Sequence, residues 1–146
     1  MTEEAATAMK RMYNDAIDNS VDIMVTSGFR SHDSQEVLYT NNQKLQSDDE
    51  EESVAKPGHS EHQLGTTVDL STPEVNGESA SARFKSTETY KWLEKNAYRY
   101  GFVLSYPGDK DTGYIEEPWH WRYLGVDIAK EINEKGITIQ EYLESL

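Results

Sequence analysis

Ser60-Glu61-His62-Gln63-Leu64-Gly65-Thr66-Thr67-Val68-Asp69-Leu70 is the stretch on which the reading of this chain turns. Lys56-Pro57-Gly58-His59 ahead of it is a turn signal, and the β-branched run from Thr66 to Leu70 reads as a strand. Period two then puts Thr67 and Asp69 on one face of that strand and Thr66, Val68 and Leu70 on the other, so Asp69 faces a site while the apolar residues face a core. Six residues separate His62 from Asp69. Along a continuous helix residues so spaced would lie about 10.5 Å apart on the axis. A turn at Gly65 lets them converge from a loop and the following strand.

After fifty intervening residues beyond Asp69 comes His120, inside Glu117-Pro118-Trp119-His120. His62, Asp69 and His120 are the ligand types of a catalytic zinc site, with Glu117 three residues from the last ligand as the base for an attacking water. That inventory points to hydrolysis. In a regular strand residues three apart face opposite sides, so Glu117 and His120 reach one metal only if the pleat is broken, which Pro118 can do. Proline also disfavours the α region for Glu117, against the helical arrangement of His-Glu-x-x-His enzymes. Singly, each residue has a plainer reading: His62 a surface histidine, Asp69 a cap or turn residue, Glu117 a solvated acid beside an apolar face of Trp119, Trp121 and Tyr123. Arg30, after Ser27-Gly28-Phe29 at a strand end, could clamp a peptide's terminal carboxylate as a bidentate pair, although a solvent-exposed arginine is the commoner fate. Gln35 and Ser60 are candidates for substrate hydrogen bonds, with helix-surface and turn roles equally open. His32 and His59 have no spaced carboxylate partner and are not counted as ligands; His59 could line the mouth of the site.

Around these motifs the chain alternates helices and strands. A helix is expected from Thr2 to about Asn19, with Met9, Met12, Tyr13, Ala16 and Ile17 recurring at three and four residues. Val21, Ile23 and Val25 alternate as a short strand, and Ser34 to about Leu45 reads as a second helix. Ser47-Asp48-Asp49-Glu50-Glu51-Glu52-Ser53 reads as a solvated loop, because like charges resist packing. Ser71 to Ala82 is loop-like, Glu88 to Tyr100 helical and ended by Gly101, Phe102 to Leu104 a strand, and Tyr106 to Gly113 a turn. A last strand from Trp119 to Leu124 precedes short helices at Asp127–Lys135 and Ile139–Leu146. The expectation is one α+β domain over residues 1–146, a small mainly antiparallel sheet flanked by helices, with the zinc site at the sheet face.

Composition narrows the function. With 146 residues the chain is the size of one domain, able to bury roughly two thirds of its unfolded surface. Its 14 Lys+Arg against 27 Asp+Glu, a net charge of -13, argue against nucleic acid as partner. No run approaches the roughly 18 apolar residues of a membrane span. The absence of cysteine excludes a thiolate zinc cage, so any metal is held by His and carboxylate. Oligomeric state is not legible.

The motifs together resemble a known family, the VanY-type zinc D,D-carboxypeptidases (peptidase family M15). Relatives of these enzymes include D-Ala-D-Ala dipeptidases and the L,D-carboxypeptidases that trim peptidoglycan tetrapeptides. The resemblance rests on Ser27-Gly28-Phe29-Arg30-Ser31, on Pro57 through Gly65 to Asp69, on Tyr100-Gly101-Phe102 with Tyr106-Pro107, and on Glu117 through Tyr123. It implies zinc on His62, Asp69 and His120, Glu117 as base, Arg30 as the group that holds the substrate's C-terminal carboxylate, and a peptidoglycan stem peptide or precursor as partner. It further implies removal of a C-terminal D-alanine in the cell envelope or outside the cell, with an export segment not present in this chain. L,D-cleavage of tetrapeptide stems, a phage-type endopeptidase and a catalytically silent zinc-containing wall-binding module are the other readings. Thr67, Ser105 and Glu116 depart from the family's usual alanine, arginine and aromatic residue, which bears on substrate preference.

Overall fold

The computed structural model describes residues 1–44, 54–78 and 82–146. The acidic run from Ser47 to Ser53 and the expected end of the second helix at Leu45 lie outside them.

α1 (Glu3–Asp18) starts where the Thr2 hydroxyl accepts from Ala5 N–H. Its buried stripe is Ala5, Ala8, Met9, Met12 and Ala16, whereas Tyr13 and Ile17 are exposed. Two apolar residues of the periodic set thus point to solvent, because the small alanines let the helix approach the core along a face rotated away from them. β1 (Met24–Ser27) begins later than the alternation of Val21, Ile23 and Val25 suggests. Ile23 is buried ahead of the strand, while Val25 is exposed on an edge strand whose pairing is bulged between Val25 and Ser27. α2 (His32–Gln43) starts two residues before Ser34, because Ser31 provides the cap by accepting from Ser34 N–H. Only Gln35 of α2 is buried, while Val37 and Leu38 are exposed.

β2 (Thr67–Ser71) follows a 3-10 turn, Glu61–Leu64, closed by Gly65 at φ +71°. A further 3-10 turn at Pro73–Val75 occupies ground that reads as loop, and another at Ala82–Ser86 leads to the next helix. α3 (Glu88–Asn96) is capped by Thr87 and continues as a 3-10 turn, Ala97–Tyr100, ending at Gly101. β3 (Phe102–Leu104) and β4 (His120–Tyr123) complete the sheet, and α4 (Val126–Lys135) and α5 (Ile139–Glu144) close the chain, α5 with a Thr138–Glu141 capping box.

The four strands form one sheet in the order β1-β2-β4-β3, every pair antiparallel. This is the expected α+β architecture. One face carries Val68, Leu70, Phe102 and Trp121 into a core shared with Met9, Met12, Ile23, Phe84, Tyr90 and Leu93. β2 is one of the two inner strands and is buried on both sides. Its other face carries Thr67 and Asp69, whose cross-strand partners are Arg122 and His120. None of the described helices is long and apolar enough to cross a membrane.

Candidate metal centre and active site

His62, Asp69 and His120 come together on the polar face of the sheet, all three buried, with one possible ligand atom from each lying within 4.8 Å of the others. The 3-10 turn delivers His62, and Gly65 reverses the chain so that Asp69 returns on β2 beside it. His120 is the first residue of β4 and pairs with Asp69 across the ladder. Ahead of it, Pro118 and Trp119 form a turn closed by His120 N–H donating to the Glu117 carbonyl over 3.0 Å. The pleat is therefore broken at Pro118, and the Glu117 carboxylate comes within 3.3 Å of His120 Nδ1. The Trp121 indole donates to the Pro118 carbonyl over 3.1 Å and pins that turn to the core.

The ring nitrogens show what this cluster needs. His62 Nδ1 lies 2.7 Å from the Gly28 carbonyl, which can only accept, so Nδ1 carries the proton and the Nε2 lone pair faces Asp69 Oδ2 at 3.2 Å. His120 Nε2 lies 3.0 Å from Glu61 Oε2, which leaves Nδ1 facing Asp69 Oδ1 and Glu117 Oε2, each at 3.3 Å. Asp69 Oδ1 is buried without a hydrogen-bond partner. Two imidazole nitrogens and a carboxylate thus converge on one point, where a cation can take the place of the proton that the acidic surroundings favour on His120. Two imidazole nitrogens with a carboxylate oxygen suit zinc, and the cleft beside them leaves room for a water.

The protonation balance has the same origin. Burial alone would push the His120 ring down, but the carboxylates beside it, Asp69 and Glu61, with Glu117 nearby, outweigh burial and raise it to about 9. Burial would raise Asp69, yet His120 and His62 hold it well below the usual carboxylate range. Glu61 is likewise opposed by burial but held at about 2 by His120, Ser105 and Arg122. Glu117 goes the other way: burial dominates, and the Asp69 and Glu61 charges add to it, so its carboxyl is raised. Of the carboxylates in the cluster, Glu117 is the one best suited to take up a proton.

All seven residues singled out from the sequence line one cleft of about 860 Å³. Arg30 is held in it by Gln35, whose Oε1 accepts from the guanidinium over 2.9 Å, with Ser27 Oγ at 3.4 Å on the other arm. Gln35 is almost wholly buried, and its amide donates to the Ala55 carbonyl, so it stands behind Arg30 as a brace. Ser60 caps the 3-10 turn with no side-chain hydrogen bond to it and lines the cleft, as does exposed His59. His32 lies outside, beside Asp33. Of the three departures, Thr67 is buried opposite Arg122, Ser105 donates to Glu61, and Glu116 pairs with Lys85.

Four residues to which the sequence gives no role also belong here. Glu61, Ser105 and Arg122 surround the far side of His120, and Tyr106 packs its ring 4.9 Å from the imidazole. Burial, then the Glu61 and Glu117 charges, push the Tyr106 phenol up, so it remains a neutral hydrogen-bond donor. The one available signal was Arg122, two residues past His120 and hence on the same strand face.

The family model described as VanY: D-alanyl-D-alanine carboxypeptidase matches residues 1–126. The chain belongs to this family. The carboxypeptidase-like protein YodJ of Bacillus subtilis is 41% identical over 147 residues, covering 99% of this chain and 54% of YodJ. Thus this VanY-family chain spans about half the length of the curated relatives it matches. Among solved structures it is similar to the LdcB LD-carboxypeptidase (TM-score 0.90, 39% identity, 99% of this chain and 68% of that one). It is also similar to VanYB in complex with D-alanine-D-alanine (TM-score 0.81, 31% identity, 99% and 82%). A third likeness is to a vancomycin-resistance D,D-pentapeptidase VanY in complex with Zn(II) (TM-score 0.78, 32% identity, 97% and 82%).

Proposed function

We propose that the chain is a zinc carboxypeptidase domain that removes the C-terminal D-alanine from peptidoglycan stem peptides, acting in the cell envelope or outside the cell. The observation that carries this reading is the convergence of His62, Asp69 and His120 donor atoms beside the raised carboxyl of Glu117, in a cleft that also holds Arg30. The D-alanine-D-alanine and Zn(II) complexes of its structural relatives support it.

Zinc held by His62, Asp69 and His120 would supply a water acidified towards neutrality and an electrophile for the scissile carbonyl. Glu117 accepts the proton of the attacking water and returns it to the leaving amine. Arg30, braced by Gln35, pairs with the substrate's terminal carboxylate, which sets the cut one residue from the end. Ser60 at the cleft wall offers a hydroxyl to the peptide backbone.

The likeness to LdcB favours a second reading, L,D-cleavage of tetrapeptide stems. Both are tested by assaying D-alanine release from a pentapeptide ending in D-Ala-D-Ala and from a tetrapeptide ending in a single D-Ala. Release from the pentapeptide, lost on chelation and restored by zinc, is expected. Release from the tetrapeptide alone establishes the second reading, and release from neither by zinc-loaded protein contradicts both.

A further inference from the structure

We infer that Glu61 is a positioning residue for the metal centre: with Ser105 and Arg122 it fixes the tautomer and orientation of His120. The inference rests on His120 being a metal ligand, as proposed above. Glu61 opens the 3-10 turn whose next residue is His62, so the backbone that places one ligand also places the group that aims the other.

Its carboxylate is engaged from three sides. Oε2 lies 3.0 Å from His120 Nε2 and 2.7 Å from Ser105 Oγ, while Oε1 lies 2.6 Å from the Arg122 guanidinium. The side chain is only 13% exposed. A buried ion pair with Arg122 alone would gain little stability, and it would not need an oxygen aimed at an imidazole edge. The ring is held from its backbone as well: Ser105 N–H donates to the His120 carbonyl over 3.2 Å, and Arg122 follows two residues along the same strand face.

The consequence is chemical. An ionised carboxylate accepts and cannot donate, so the His120 proton sits on Nε2 and the Nδ1 lone pair is directed at the centre. The negative charge also makes Nδ1 a better donor atom, and Arg122 and Ser105 keep Glu61 from drifting off the ring. Partners of this kind are worth about 10–100-fold in metal affinity.

Three measurements decide it. Long-range 1H–15N correlation spectra of the zinc-loaded protein should show His120 protonated at Nε2; a proton on Nδ1 overturns the inference. Zinc affinity, read by competition with a chromophoric chelator, should fall about 10–100-fold in Glu61→Gln, and the visible spectrum of the cobalt(II) form should change. Ser105→Ala, which leaves the charge in place, should shift both in the same direction by less, and it decides the matter if Glu61→Gln does not fold. Wild-type protein that takes up no zinc removes the metal reading and this inference with it. Zinc-binding wild type with equal affinity and an identical cobalt spectrum in the variants overturns the positioning role alone.

Discussion

His62 and His120 turn opposite ring nitrogens to the centre, and in each case the choice is made by what the remaining nitrogen finds. The Gly28 carbonyl accepts from His62 Nδ1–H, and Glu61 accepts from His120 Nε2–H. The donor types of the cluster were legible in the sequence, since a histidine and an aspartate flanking a turn and a second histidine beyond them carry a chemical meaning of their own. The groups that orient them were not, because Glu61 meets Ser105 and Arg122 across 44 and 61 residues of chain. Arg30 is likewise aimed by a neighbour, Gln35, whose buried amide no spacing argument reveals. Arg30→Ala should lower kcat/KM for free-acid peptides by about 100-fold, the scale of losing a desolvated charge pair. C-terminally amidated peptides should be affected far less, and equal losses would refute the clamp.

Elements place these residues through their ends more than through their interiors. The turn before β4, the αL glycine after the 3-10 turn and the bulge in β1 are where the chain departs from regular geometry, and the cleft is built around them. Periodicity located α1 and α3 well but missed the start of β1, because an edge strand with one paired side does not need its alternate residues buried. Gly101 shows how strict such an end can be. It sits at φ +87°, and a Cβ there would lie 2.7 Å from the Tyr123 ring and 2.9 Å from the Gly125 backbone. Gly101→Ala should therefore cost about 2–4 kcal/mol, from αL strain and overpacking together. Denaturant unfolding checks this, and an unchanged midpoint would contradict the account of the β3 entry.

Across the whole molecule the decisive feature is strand order. β4 inserts between β2 and β3, which sets His120 opposite Asp69 and turns the core residues of both strands to the other face. An α+β class with a small antiparallel sheet was legible from alternating patterns, whereas order and register depend on pairings far apart in sequence. Stability should carry the mark of the site. In metal-free protein the raised His120 favours folding below its unfolded value of 6.5, and that contribution is lost as pH rises towards about 9. The lowered Glu61 contributes above 4.5 and is lost as pH falls towards about 2. Thermal unfolding from pH 6 to 9.5 should thus show a declining alkaline limb that bound zinc suppresses, since a cation replaces the proton. A limb identical with and without zinc would contradict this.

The claim on which the rest depends is that Glu117 moves the proton beside a metal held by His62, Asp69 and His120. Its most direct test is D-alanine release by Glu117→Ala with zinc content measured on the same sample. Turnover lower by about 10²–10⁴-fold with zinc still bound is expected; turnover close to wild type in zinc-loaded Glu117→Ala would refute Glu117 as the base.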